Sequence, residues 1–216
     1  MGGSEQPTAD AAIEASEAKG YRKRVIVSLS GGIDSTYILY RLLKDTDHEI
    51  IVMHIRMFDK KGRYKKEWEA VESLCLKLRR IRPFEVITLG QDFSNLDMKT
   101  FDMCVVGFCF GVLIRDLYTK GIPVDEIYIG THEREGHWKK RWDAIRAMID
   151  SHIEGANFPY DSVPLMLPSP LPTKKQEMEA LTEAGLINDV WYCREPQGNK
   201  TCGECHTCKE VAEAVD

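Results

Sequence analysis

The most constraining stretch of the chain is Val25-Ile26-Val27-Ser28-Leu29-Ser30-Gly31-Gly32-Ile33-Asp34-Ser35. Its β-branched run over 24–29 reads as a buried strand, and the paired glycines as a tight turn. Tyr37, Ile38, Leu42 and Leu43 then recur at helical spacing over 34–44. The alternation continues. Strand-like runs occupy 49–57, 84–89 and 126–131, and helical patterns occupy 65–80, 101–118 and 138–152. The helix over 65–80 places Trp68, Val71, Leu74, Cys75 and Leu78 on one side. This order predicts an α/β fold, a Rossmann-like parallel sheet with helices on both faces. Ligands of such sheets bind beyond the carboxyl ends of the strands, where the glycine turn lies.

A turn of this kind suits an anion. Glycines let the main chain approach closely with several N–H groups turned to one point, and the helix start adds its positive dipole end. Ser28, Ser30, Gly31, Gly32, Asp34 and Ser35 are the candidate phosphate-binding residues. Ser30 and Ser35 can donate hydroxyl hydrogen bonds. Asp34 suits a magnesium ion or a helix cap better than direct anion contact. The loop is neither a Walker loop, since no Gly-Lys-Ser/Thr follows, nor the dinucleotide fingerprint, whose glycine spacing differs.

The chain has 216 residues, 43% hydrophobic and 29% charged, which fits one sizeable domain. Residues 1–20 read as a flexible leader without an export signal, and cytoplasm is the expected location. The apolar run over 103–114 is too short to span a bilayer. The net charge of −5 weighs against a broad grip on nucleic acid. One α/β domain is expected over 21–188. Within it, prolines break up the chain after 155, and Thr173-Lys174-Lys175-Gln176 has the spacing of a capping box opening a helix to about 184.

Seven cysteines in a cytoplasmic chain point to metal or chemistry. Cys193, Cys202, Cys205 and Cys208 crowd an expected zinc-binding segment over 189–216. Thiolates two residues apart on a tight turn, with Gly203 permitting it, suit one tetrahedral ion, and four cysteines imply a closed, structural site. A histidine ligand, His206, and an iron–sulfur cluster stay open as alternatives. Cys75, Cys104 and Cys109 lie on apolar helix faces and read as core.

The Ser30-Gly31-Gly32-Ile33-Asp34-Ser35 loop resembles the PP-loop of the N-type ATP pyrophosphatases, which include GMP and NAD synthetases, tRNA thiolation enzymes and 7-cyano-7-deazaguanine synthases. Together with the C-x8-C-G-x-C-x2-C pattern and Lys175-Gln176-Glu177-Met178, it resembles the 7-cyano-7-deazaguanine synthases. The resemblance implies an ATP-dependent carbon–nitrogen ligase with ATP as co-substrate, Mg²⁺ and structural Zn²⁺, in a homodimer. AMP would activate 7-carboxy-7-deazaguanine with release of pyrophosphate, and ammonia would give the amide and then the nitrile. Asp34, Ser35 and Lys175 would be the catalytic residues, Lys175 neutralising phosphate charge unless it is merely a solvated lysine. Relatives in antiviral operons join a deazaguanine to a protein terminus. Segments 97–102 and 133–140 differ from the family pattern and point to such a larger protein amine. A tRNA thiolation enzyme and a non-catalytic nucleotide-binding module are the remaining readings.

Overall fold

The computed structural model describes residues 21–59, 62–95, 102–132, 138–153, 163–167 and 170–215. The leader over 1–20 and most of segments 97–102 and 133–140 lie outside the described residues. In chain order the elements are β1 (Arg24–Ser28), α1 (Ile33–Asp45), β2 (Glu49–Phe58), α2 (Arg63–Leu78), β3 (Glu85–Asp92) and α3 (Asp102–Thr119). They continue with β4 (Glu126–Ile129), α4 (Trp138–Ile153), β5 (Leu165–Met166), α5 (Lys174–Glu183), a single 3₁₀ turn (Ile187–Asp189) and α6 (His206–Val215).

All strand pairings are parallel, in the order β3-β2-β1-β4-β5. Parallel strands need crossovers, and the helices that supply them cover both faces. Alternation along β1 sorts the two cores. Val25 and Val27 face one side with α1, α2 and α5, while Ile26 faces the other with α3 and α4. Leu39, Leu74 and Leu181 are fully buried in the first core, and Phe110, Ile127 and Ile149 in the second.

The expected parallel α/β sheet is therefore present. Two elements were not foreseen. Strand β5 is two residues long, inside the proline-rich stretch, too short for any periodicity to register. Helix α6 begins within the cysteine pattern, at His206, so the metal-type ligands of its first turn mask its apolar face. Among the described residues no helix is long and apolar enough to cross a membrane.

The strand order reverses between β1 and β4. The chain runs outward from β1 through β2 to β3, then returns to the other side of β1. Loop 29–32 therefore opens at this switch point, where open sheets bind ligands. The end of β4 presses on the start of α1. A Cβ on Gly130 would lie 2.4 Å from the Ser35 main-chain nitrogen. Gly130→Ala should therefore cost about 3 kcal/mol, because main chain meets main chain and no rotamer relieves it. Gly121→Ala, whose Cβ would meet nothing within 4 Å, should cost only the left-handed backbone penalty of about 1–2 kcal/mol. Urea denaturation of the two variants measures the difference.

Candidate functional site

The phosphate loop is built by its own hydroxyls and glycines. Ser35 Oγ accepts the Ser30 N–H at 3.1 Å and lies 3.0 Å from Ser30 Oγ, which accepts the Gly32 N–H at 3.2 Å. Gly31 has φ +83°, a conformation costly for any side chain, and a Cβ there would meet the Glu67 carbonyl at 3.0 Å. Gly32 caps α1 without a side-chain hydrogen bond. The first-turn N–H groups of α1 thus have no side-chain cap, an arrangement suited to an anion. Ser28, at the end of β1, is buried under the loop.

Behind the loop sits a buried charge cluster. Lys174, the first residue of α5, pairs with Asp34 Oδ1 and with Glu177 Oε2, the latter at 3.1 Å. The Lys174 side chain is 6% exposed, that of Glu177 0%, and that of Asp34 30%. Burial pushes Asp34 upward, but the Lys174 ammonium and the Glu177 carboxyl outweigh it and hold Asp34 below the usual carboxylate range. Glu177 is pushed up to about 10, first by burial and then by the Asp34 carboxylate beside it. Burial pulls Lys174 down, and its two carboxyl partners more than offset this, so it stays charged. His132, two residues beyond Gly130 and nearly fully buried, places Nε2 3.5 Å from Glu210 Oε1 on α6. Burial, followed by the nearby Lys174, holds it below the usual imidazole range. A cavity of about 360 Å³ adjoins this cluster, lined by His132, Thr173, Lys174, Lys175, Glu210 and Glu213, among others.

The lysine that reaches the loop is therefore Lys174, not Lys175. The expected capping box is present: Gln176 N–H donates to Thr173 Oγ1, and the Gln176 side chain accepts the Thr173 N–H. It fixes Lys174 as the first helical residue, on the stripe shared by Glu177 and Leu181, and turns Lys175 to an exposed position beside the cavity. The stripe at 174, 177, 178 and 181 was readable as the inner face of α5. Chemistry assigned from the motif position chose its neighbour.

The four cysteines converge. Their sulfurs all lie within 4.8 Å of one another, and Cys202 Sγ and Cys208 Sγ are 3.9 Å apart. Four bonds of about 2.3 Å to one tetrahedral ion imply sulfur separations of about 3.8 Å. The donor set thus fits a single ion. A cluster would interpose several irons and sulfides and hold its ligands further apart. Cys193 Sγ accepts the Cys202 N–H at 3.2 Å, and Cys202 Sγ accepts N–H groups of Glu204 and Cys205 at 3.4 and 3.2 Å, as thiolates prefer. Burial raises the Cys205 thiol, but main-chain contacts with Arg194 and Cys208 and the neighbouring thiols outweigh it and bring it down to about 6. His206 lies outside the set. It is 80% exposed and faces Glu210 at 3.6 Å. Cys75 and Cys109 are buried in the two cores, as expected of packing thiols.

Comparison with known proteins bears on the loop half. Residues 23–100 match the family model described as tRNA methyl transferase HUP domain. The tRNA-specific 2-thiouridylase MnmA of Geotalea uraniireducens is 31% identical over 37% of this chain and 24% of its own length. MnmA 2 of Fusobacterium nucleatum is 33% identical over 37% of this chain and 22% of its own. The chain thus matches only about a quarter of the length of these curated relatives. Among solved structures, the U34-tRNA thiolase NcsA from Methanococcus maripaludis with its [4Fe-4S] cluster superposes at a TM-score of 0.46 with 15% identity, over 88% of this chain and 63% of that one. That likeness is too loose to assign chemistry.

The charge cluster predicts a pH dependence. Glu177 is raised in the folded protein, so between about 4.5 and about 10 the folded state binds more protons than the unfolded state at this site. Stability from this residue is present below the lower value and is lost as pH rises through the window. In magnesium-free protein, Glu177→Gln should remove that slope and gain stability relative to wild type at pH 8 compared with pH 5. Denaturation midpoints at the two pH values test it, and parallel shifts at both would contradict the assignment. The strand order, the loop geometry and the match over residues 23–100 together support a HUP-type domain with a PP-loop of the N-type ATP pyrophosphatase kind in this part of the chain.

Proposed function

We propose that the chain cleaves ATP between its α and β phosphates and transfers AMP to an oxygen of a base-like acceptor. The observation that carries this reading is the loop at the switch point, with α1 opening without a side-chain cap and Lys174 buried against Asp34 behind it. The acceptor oxygen attacks the α-phosphorus, the α–β bridge breaks, and pyrophosphate leaves with the bridging electrons. A nucleophile then adds to the carbon bearing the activated oxygen, and AMP departs. The donors of the loop and α1 receive the pyrophosphate, and the Lys174 ammonium is placed to offset charge as it builds. Asp34 is the residue that would hold the magnesium of ATP, which neutralises phosphate charge when bound.

The comparisons favour an oxygen of a tRNA base as acceptor, replaced by sulfur, because the curated relatives are tRNA thiolation enzymes. They also weigh in favour of nucleic acid as a partner, against the net charge of −5. A second reading, 7-carboxy-7-deazaguanine with ammonia or a protein amine as nucleophile, is supported by the closed four-cysteine set in single-ion spacing.

Incubation with ATP and either tRNA plus a sulfide donor or 7-carboxy-7-deazaguanine plus ammonia should yield AMP and pyrophosphate. The arm that gives a modified acceptor by mass spectrometry identifies the substrate, and ADP with phosphate would refute the loop assignment. Asp34→Ala, Ser35→Ala and Lys174→Met should each lower turnover by about 100-fold or more, while Lys175→Met should change it little.

We assign zinc to the cysteine set. The purified protein should be colourless with about one zinc per chain. A brown, iron-containing preparation would reverse this assignment.

A further inference from the structure

The phosphate loop is held from outside by the segment that leads into the cysteines. The Trp191 N–H donates to the Gly31 carbonyl at 2.8 Å, a main-chain bond between positions 160 residues apart. The Trp191 carbonyl passes on and lies 3.7 Å from where a Cβ of Gly32 would sit. On its other side the loop rests on α2, where Glu67, Ala70 and Val71 leave no room for a side chain at Gly31. The Gly31 peptide is therefore clasped between α2 and Trp191. Both ends of that peptide are held, its carbonyl by the Trp191 N–H and its Gly32 N–H by Ser30 Oγ, so the loop conformation depends on Trp191.

Trp191 is in turn fixed by the cysteine segment. Its indole Nε1–H donates to the Cys193 carbonyl at 3.0 Å, and the Cys193 sulfur belongs to the four-cysteine set. The neighbouring Arg194 pairs with Asp102 at 2.8 Å. Asp102 also accepts from Arg63, which pairs with Glu67 at 2.9 Å, the residue whose carbonyl borders Gly31. The same segment returns on the far side, where α6 begins among the cysteines and sets Glu210 against His132, next to Lys174. Both flanks of the loop are thus anchored to one thiol cluster.

We propose that Trp191 is a positioning residue for pyrophosphate, acting through its main-chain N–H on Gly31, and that the four cysteines hold it in place. The segment is then part of the nucleotide site rather than a separate knob. This rests on the loop being a pyrophosphate site.

The test compares two substitutions. Trp191→Ala removes the indole and keeps the N–H. Trp191→Pro removes both, and Val190 already has the extended conformation (φ −79°, ψ 147°) that a following proline favours. Calorimetric titration with magnesium pyrophosphate should show the proline variant binding about tenfold more weakly than the alanine variant, about the effect of one net hydrogen bond. The KM for ATP should rise with it, at equal zinc content. Equal affinities in the two variants would overturn the proposal. No binding of pyrophosphate or ATP by wild type would instead remove the proposed activity, and this inference with it. Should the proline variant fail to fold, chelator treatment of wild type decides. Weaker pyrophosphate binding, restored by added zinc while circular dichroism is unchanged, supports the clasp, and unchanged affinity in metal-stripped protein rejects it.

Discussion

The structure turns on an ion pair between residues 140 positions apart, Lys174 and Asp34. A lysine with 6% of its side chain exposed survives in a core only with a charged partner, and breaking such a pair costs about 3–5 kcal/mol. The pair ties the start of α5, which the Thr173 capping box sets, to the start of α1. With α5 held there, Leu181 and Leu186 enter the core beneath α1. Glu177 completes the arrangement. Two carboxyls and one ammonium share a site that tolerates little net charge, and retention of the Glu177 proton keeps it near neutral.

The parts of the molecule legible in sequence were those where one physical rule acts alone. The strand, glycine turn and helix over 24–45 could be read because burial, backbone freedom and periodicity agree there. The two cores follow from the same alternation, with Val25 and Val27 on one face of β1 and Ile26 on the other. The cysteine set was legible because spacing alone limits how four thiolates can meet.

Features that depend on tertiary approach were not legible. The helix phase marks Lys174 as the inward lysine, but the partner that it meets, Asp34, lies 140 positions away. Gly130 looks like an ordinary strand end until α1 lies against it. His132, Glu210 and Trp191 carry no local pattern, because each acts on a partner distant in sequence. Trp191 contributes to the loop through its main chain, which no side-chain motif can report.

The matched residues, 23–100, end before Lys174, Trp191 and every cysteine of the set. The matched stretch holds the loop, so under the proposed activity the acceptor would be set by what lies beyond it. The demands of the two acceptors differ physically. A tRNA needs phosphate contacts spread over a surface, and their number governs its salt dependence. Near the loop, Arg63 and Arg194 are already committed to Glu67 and Asp102, so they offer little to a phosphate backbone. A small acid needs only a cavity beside the α-phosphate with a few aligned donors. Under the proposed activity the choice between acceptors is therefore one of available surface and not of loop chemistry, because both would require the same activation step.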